Sequence, residues 1–237
     1  MKPRLDQHFM INTTILKRIV YLAELKEKDV VLEIGPGTGN LTKLLAKKSK
    51  IVCVEKDCEI SLAIENTEFL NANILEVIET LEFNKIVSNI PYCISEPLFK
   101  KLFKSDFELA VLTVGMKFYE LLMSEHRFGI VSRAFFNVEL IQEVPKSAFK
   151  PAPRVKSALI VLKPKQKKNE ESILKKLVLL DDKKLKNALL KAFEGVKTKR
   201  ETKEIIKALD SKTLGKKFWQ LNEDEFKSQL SKVTDLP

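Results

Sequence analysis

A chain of 237 residues, 44% of them hydrophobic, is long enough for one sizeable core and a smaller second unit, and no apolar run approaches the roughly 20 residues that a membrane span needs. Three cysteines without C-x-x-C spacing argue against a disulfide framework, and two histidines with no Cys/His cluster give a metal site no support. The net charge of +10 points to an anionic partner. That charge is uneven: residues 163–237 hold 20 basic and 12 acidic side chains, whereas residues 1–162 are nearly balanced. A basic segment joined to a near-neutral one suggests nucleic acid, against the simpler account of a solvated lysine face. The opening Met1–Asp6 stretch lacks an apolar signal segment, so a cytoplasmic location is expected.

In chain order, Val30, Val31, Leu32 and Ile34 form a dense apolar run that predicts a buried strand. Gly35, Gly37 and Gly39 follow as a turn, and Leu41, Leu44 and Leu45 recur at helical spacing. "KIVCVEKD" predicts a second buried strand ending in Glu55. "NKIVSNI" is a third, with a helix near Ser95 to Lys104, and "LAVLTV" a fourth, with a helix near Lys117 to Ser124. This alternation implies βαβ units and a largely parallel α/β sheet. "AFFNVELIQEV" and "SALIVLKP", with no helix between them, predict an antiparallel pair closing one edge. "KPKQKKNEES", Lys163 to Ser172, is the linker candidate. Beyond it "ILKKLVLL", "KKLKNALLKAF", "KEIIKAL" and "EDEFKSQLSKV" have helical periodicity, with Asn222 and Glu225 as a capping box for the last. The expected domains are therefore residues 1–165, an α/β unit, and residues 166–237, a small basic helical unit.

Glycines between a strand and a helix let backbone approach a ligand closely, because no Cβ intrudes. A dinucleotide fingerprint needs G-x-G-x-x-G; here the third glycine falls one place early and Asn40 occupies its position. No Walker lysine follows, which disfavours phosphate transfer. Glu55 at a strand end suits two ribose hydroxyls, so turn and acid together point to a nucleoside-containing cofactor.

"NIPY", Asn89 to Tyr92, ends the third strand in an amide, a proline and a ring. An adenine amino group is a poor nucleophile because its lone pair is delocalised into the ring. Two acceptors aimed at its hydrogens draw that pair out of conjugation. The Asn89 side-chain carbonyl and the Ile90 backbone carbonyl suit that task, since Pro91 holds the second rigid and cannot donate to the ladder. Tyr92 supplies a face on which a base stacks, worth about 1–3 kcal/mol. A nitrogen held in line with a methyl sulfonium needs no strong general base, so positioning supplies much of the rate.

With these residues in view, the chain resembles the kasugamycin-resistance-type ribosomal RNA adenine dimethyltransferases. "DQHFMIN", "VVLEIGPGTGNLT", "VEKD", "SNIPYCIS" and "FKPAPRVKSALI" match in order, with a sixth, weaker match at "FEGVKTKRET". The resemblance implies the class I S-adenosylmethionine-dependent methyltransferase sheet, mostly parallel with an antiparallel edge, and a small C-terminal helical domain carrying RNA contacts. It implies S-adenosylmethionine as cofactor and two adjacent adenosines near the 3′ end of small-subunit rRNA as substrate, met on rRNA or on an immature small subunit by a monomeric enzyme that needs neither metal nor membrane. By motif position Gln7 and Phe9 would close over the cofactor, and Gly35, Gly37 and Gly39 with Glu33 would pack against its methionine part. Glu55 and Lys56 would meet the ribose, Asn73 and Ile74 the adenine, and Asn89 would reach both cofactor and target. Asn89, Ile90, Pro91 and Tyr92 would take the catalytic roles argued above, with Phe149 stacking on the target base from the other side. Lys197, Lys199, Arg200 and Lys203 are the RNA-contact candidates. The chain departs from the family pattern at Asp6, Asn73, Ile130 and around Gly115 and Lys117.

Three other readings stay open from the sequence. One is the antibiotic-resistance type of large-subunit rRNA methyltransferase, with a similar N-I-P-Y core. Another is a non-catalytic RNA-binding assembly factor on the same fold, and the third is a nicotinamide dehydrogenase.

Overall fold

The computed structural model describes residues 7–165, 173–230 and 233. The chain divides into two compact units: Met1–Glu120 with Phe136–Pro164, and Leu121–Phe135 with Lys165–Pro237. This differs from a single cut between residues 165 and 166, because residues 121–135 group with the second unit. Most of the expected linker, residues 166–172, lies outside the described residues, as does Asp6.

The first unit opens with β1 (Phe9–Met10), α1 (Thr13–Leu22), β2 (Val30–Ile34), α2 (Thr42–Leu45), β3 (Lys50–Glu55), β4 (Thr67–Asn71) and α3 (Ile74–Val77). It continues with β5 (Lys85–Asn89), α4 (Ser95–Leu102), β6 (Leu109–Gly115) and the start of α5 (Met116–Met123). After α6 (Arg127–Phe135) the chain returns to this unit as β7 (Phe136–Val144), β8 (Phe149–Lys150) and β9 (Ser157–Pro164). Seven strands form one sheet in the order β4-β3-β2-β5-β6-β9-β7. The first five are mutually parallel; β9 runs antiparallel to both β6 and β7. All seven residues of β6 are buried, as an inner strand covered on both faces must be. Edge strand β7 is buried only at its ends, Phe136 and Val144, carries Glu139 and Glu143, and is broken by a bulge between Leu140 and Gln142, features that blunt an edge.

The order reverses between β2 and β5. β3 and β4 extend from β2 to one side, while β6 lies on the far side of β5. Parallel α/β sheets bind ligands in the crevice outside the C-terminal strand ends at such a point. Here those ends are Ile34 with its glycine turn and Asn89 with Ile90-Pro91-Tyr92. The Ser88 hydroxyl donates to the Ile34 carbonyl at 2.6 Å and closes the seam between the two strands. The opposite end of the same strands is pinned by a buried ion pair, Lys85 Nζ to Asp29 at 2.9 Å, with Lys85 also donating to the Ala23 and Glu24 carbonyls.

The parallel strands, the antiparallel pair β7/β9 and helices α4 and α5 agree with the sequence expectation. Ala134 and Phe135, read as strand, instead finish α6; α1 and β4 had no counterpart in the reading.

In the second unit, α7 (Ile173–Leu179), α8 (Leu185–Ala192), α9 (Lys199–Lys207), α10 (Ser211–Leu214) and α11 (Glu223–Glu225), which runs into a π-helical turn at Phe226–Leu230, join α6. Phe193, Phe218 and Phe226 are fully buried at its centre. Helix α6 belongs here because the Phe128 ring meets Trp219 at 6.2 Å, Arg127 lies over the same indole, and the Arg127 N–H donates to Glu223 at 2.9 Å. The capping box at Asn222 and Glu225 is formed, and a second, Thr198 with Glu201, starts α9.

Candidate active site

Two adjoining hollows lie at the strand ends of the first unit. One, about 90 Å³, is lined by Phe9, Glu33, Gly37, Asn89, Ile90 and Tyr92 among others. The second, about 480 Å³, is lined by Lys56, Asp57, Asn73, Ile74 and Cys93 among others. Gln7, Gly35, Glu55 and Pro91 line both, so the two hollows share a border. Gln7 is held there by its amide, which donates to Asp57 at 2.9 Å.

The glycine turn works through its backbone. Gly35, Gly37 and Gly39 have φ of +64°, +54° and +75°, a region that side chains with a Cβ rarely enter. At Gly37 the Phe9 ring occupies the space as well: a Cβ there would sit 2.5 Å from two of its carbons. Phe9 is therefore packed onto the turn by the absence of a side chain at position 37.

Asn89 is the centre of the site. Its Nδ2 donates to the His8 carbonyl at 2.9 Å, which fixes the amide orientation and turns Oδ1 away from that partner. Oδ1 is buried and has no hydrogen-bond partner. A buried acceptor without a donor costs about 1–3 kcal/mol, so its retention on a cavity wall marks a place for a ligand N–H. Ile90 lines the same cavity, its own N–H donated to Thr113 at 3.0 Å. The Tyr92 hydroxyl is 2.5 Å from Ser157 Oγ, and the ring rests on Gly115, where a Cβ would lie 3.5 Å away. The tyrosine is thus a fixed plate beside the Asn89 amide.

The electrostatics of the small cavity are one-sided. Glu33 and Glu55 line it, and among the described residues no lysine or arginine does. Glu33 is 2% exposed; burial pushes its carboxyl up to about 8, only partly offset by the Thr42 hydroxyl and the Cys53 thiol. A carboxyl held near neutrality for want of a positive partner suits a ligand that brings one. The residues therefore fit S-adenosylmethionine, whose methionine half carries a sulfonium and an ammonium. Glu55, 9% exposed, already accepts from the Asp57 N–H at 2.9 Å through one oxygen, Oε1.

Not every expected residue stands as the motifs suggest. Phe149 is 3% exposed, sits in the hydrophobic cluster with Met10, Ile15 and Leu16, and does not line the crevice. Of the two rings expected to grip the base, Tyr92 lines the cavity and Phe149 does not, so the two-ring clamp is not formed. Asn73 lines the larger hollow, and its Oδ1 caps α3 by accepting from the Leu75 N–H at 3.2 Å, while its Nδ2 donates to Glu76. An aspartate would cap the same helix, so this departure leaves the local backbone intact. In the second unit, Lys197, Lys199 and Lys203 line a groove of about 540 Å³ together with Lys191, Leu190 and Phe193; Arg200 lies on the same helix without lining it. Lys199, Arg200 and Lys203 make no ion pair among the described residues.

Several contributors were not singled out from the sequence. His8 supplies the carbonyl that orients Asn89 and donates through Nδ1–H to the Pro151 carbonyl, 2.9 Å away. Asn40, remarked only as a missing glycine, donates to the Met10 carbonyl and ties β1 to the turn. Ser157 anchors Tyr92. These interactions join positions 30 to 143 residues apart, beyond the reach of local patterning.

Comparison with known proteins agrees with this geometry. The family model described as ribosomal RNA adenine dimethylase matches residues 1–227. A probable ribosomal RNA small subunit methyltransferase A of Methanopyrus kandleri is 34% identical, over 90% of this chain and 85% of its own. A dimethyladenosine transferase of Plasmodium falciparum, known as a crystal structure, is 26% identical with a TM-score of 0.65, covering 95% of this chain and 97% of that one. The 23S rRNA methyltransferase ErmE shares the fold at a TM-score of 0.58 and 23% identity, over 84% and 88% of the two chains. With the match running through both units, the chain belongs to the ribosomal RNA adenine dimethylase family.

Proposed function

We propose that the protein transfers methyl groups from S-adenosylmethionine to the exocyclic amines of two adjacent adenosines near the 3′ end of small-subunit rRNA. The observation that carries this reading is the buried, partnerless Oδ1 of Asn89 on the wall of a cavity shared with the glycine turn and Tyr92. The cofactor, when bound, supplies the electrophilic methyl carbon. Gly35, Gly37 and Gly39 with Phe9 form the cradle for its methionine half, and Glu33 faces the positive charge. Glu55 takes the ribose; Asn73 and Ile74 border the adenine. Asn89 Oδ1 and the Ile90 carbonyl accept the two amine hydrogens of the target base, and Tyr92 stacks beneath it. The base must be unpaired or flipped out to reach that plate. Phe149, packed in the core, enters only if the β1/β8 pair shifts. The exposed lysines of α9 bind RNA phosphates.

The test has two parts. Incubation with labelled cofactor and each ribosomal subunit should label two adjacent adenosines of the small subunit; label on the large subunit alone would overturn the target. Asn89→Ala should lower methyl transfer by at least about a hundredfold while RNA affinity stays within about threefold. Transfer that survives in the variant would remove the catalytic role of the amide.

A further inference from the structure

Two thiols stand at the crevice, and no role in methyl transfer explains them. Cys58 follows β3 and Cys93 follows β5, the two strands that flank β2. Both are exposed and neither is in a disulfide, and both line the larger hollow with Lys56, Asn73 and Ile74. The third cysteine, Cys53, makes the contrast: it is buried within β3, and burial with the neighbouring Glu33 pushes its thiol far above the usual range. The chain therefore holds two accessible thiols where a ligand enters and one silent thiol behind the wall.

We propose that this hollow is a thiol-modification site, at which a low-molecular-weight disulfide forms mixed disulfides with Cys58 and Cys93 and thereby excludes the methyl donor. The inference rests on the reading of the hollow as the nucleoside half of the cofactor site. In the step itself a cysteine thiolate attacks one sulfur of the disulfide. A new S–S bond forms as the old one breaks, and the departing thiolate takes up the proton that the cysteine released. The incoming disulfide is the oxidant, and a free thiol in excess reverses the exchange. An adduct on either cysteine projects into a hollow of about 480 Å³ and leaves too little of it for a nucleoside.

The experiment treats the full chain with glutathione disulfide, maps adducts by mass spectrometry, and measures S-adenosylhomocysteine binding by calorimetry before and after. Adducts are expected at Cys58 and Cys93 and not at Cys53. Bound S-adenosylhomocysteine should slow their formation by at least about fivefold, since reactivity follows access. The modified protein should bind at least about tenfold more weakly, with dithiothreitol restoring affinity. In Cys58→Ser/Cys93→Ser the affinity, whatever its starting value, should be the same before and after treatment. Adducts that leave binding unchanged, adducts that form equally fast with ligand present, or an absence of adducts would each overturn this inference alone. Failure of the untreated protein to bind S-adenosylhomocysteine would overturn the cofactor reading with it.

Discussion

Asn89 uses its amide N–H on the His8 carbonyl and keeps its amide oxygen unpaired, so the residue is oriented before any ligand arrives. Orientation in advance is what lets a neutral amide act on a weak nucleophile, because no reorganisation is left for the moment of reaction. The same economy holds at Gly37. Gly37→Ala meets both an unfavourable φ of +54° and the Phe9 ring, and should weaken S-adenosylhomocysteine binding by more than about tenfold. In the double variant with Phe9→Ala the clash is gone, but the backbone cost of roughly 1–2 kcal/mol stays, so calorimetry should find partial rescue only. Glu33 makes a third prediction, on pH. Its folded carboxyl is raised from 4.5 to about 8, so the folded chain keeps a proton that the unfolded chain has lost. The Glu33 contribution to the stability of the ligand-free protein should be full below pH 4.5 and fall as pH rises through about 8, on the order of a few kcal/mol in all. Glu33→Gln should flatten that fall in thermal unfolding; an equal slope in the variant would assign the pH dependence to other groups.

Among the elements, β2 and β5 carry the site at one end and its foundation at the other. Asp29 is driven up by burial, but hydrogen bonds from Asn84, Lys85 and the Lys26 N–H outweigh that and bring it down to about 2. The stabilisation is present above the ordinary carboxyl range and lost as pH falls through about 2. Lys85→Met should cost about 3–5 kcal/mol in denaturant unfolding, because it strands a buried aspartate. The double variant with Asp29→Asn should recover part of that cost, and a double variant no better than the single would mean that Lys85 acts by packing rather than charge. Helix α9, which presents Lys199, Arg200 and Lys203, depends on its Thr198–Glu201 box. Thr198→Ala should cost about 1 kcal/mol of the second unit's stability.

For the molecule as a whole, charge divides the labour. The near-neutral first unit holds the crevice, and the excess cations lie in the later part of the chain. RNA affinity should fall with salt, because each phosphate that a cation neutralises releases counterions. Replacing Lys199, Arg200 and Lys203 by glutamate should make the log–log salt dependence shallower, by about 0.7 for every phosphate of a single strand that is no longer neutralised. A slope unchanged in that variant would place the main phosphate-binding cations elsewhere. Deleting residues 163–237 is a poorer test than these substitutions, since it would strip α6 of Trp219 and Glu223.

The β-branched runs at Val30–Ile34, Lys50–Glu55 and Leu109–Gly115 announced a parallel sheet because burial on both faces demands near-continuous apolar side chains, a local property of each run. The glycine turn and N-I-P-Y were legible for the same kind of reason: left-handed backbone and a proline-stopped strand are written in adjacent residues. Helix α6 was hidden because its apolar face is satisfied by Trp219, far along the chain, and nothing near residues 127–135 records that partner. The burial of Phe149 was equally invisible, since an aromatic before a proline reads alike whether it faces a ligand or Leu16. Which oxygen of the crevice would be left without a donor depended on where His8 and Asn89 met. That meeting spans 81 residues and exists only once the sheet has closed, because an unpaired acceptor is a property of surroundings rather than of a residue type.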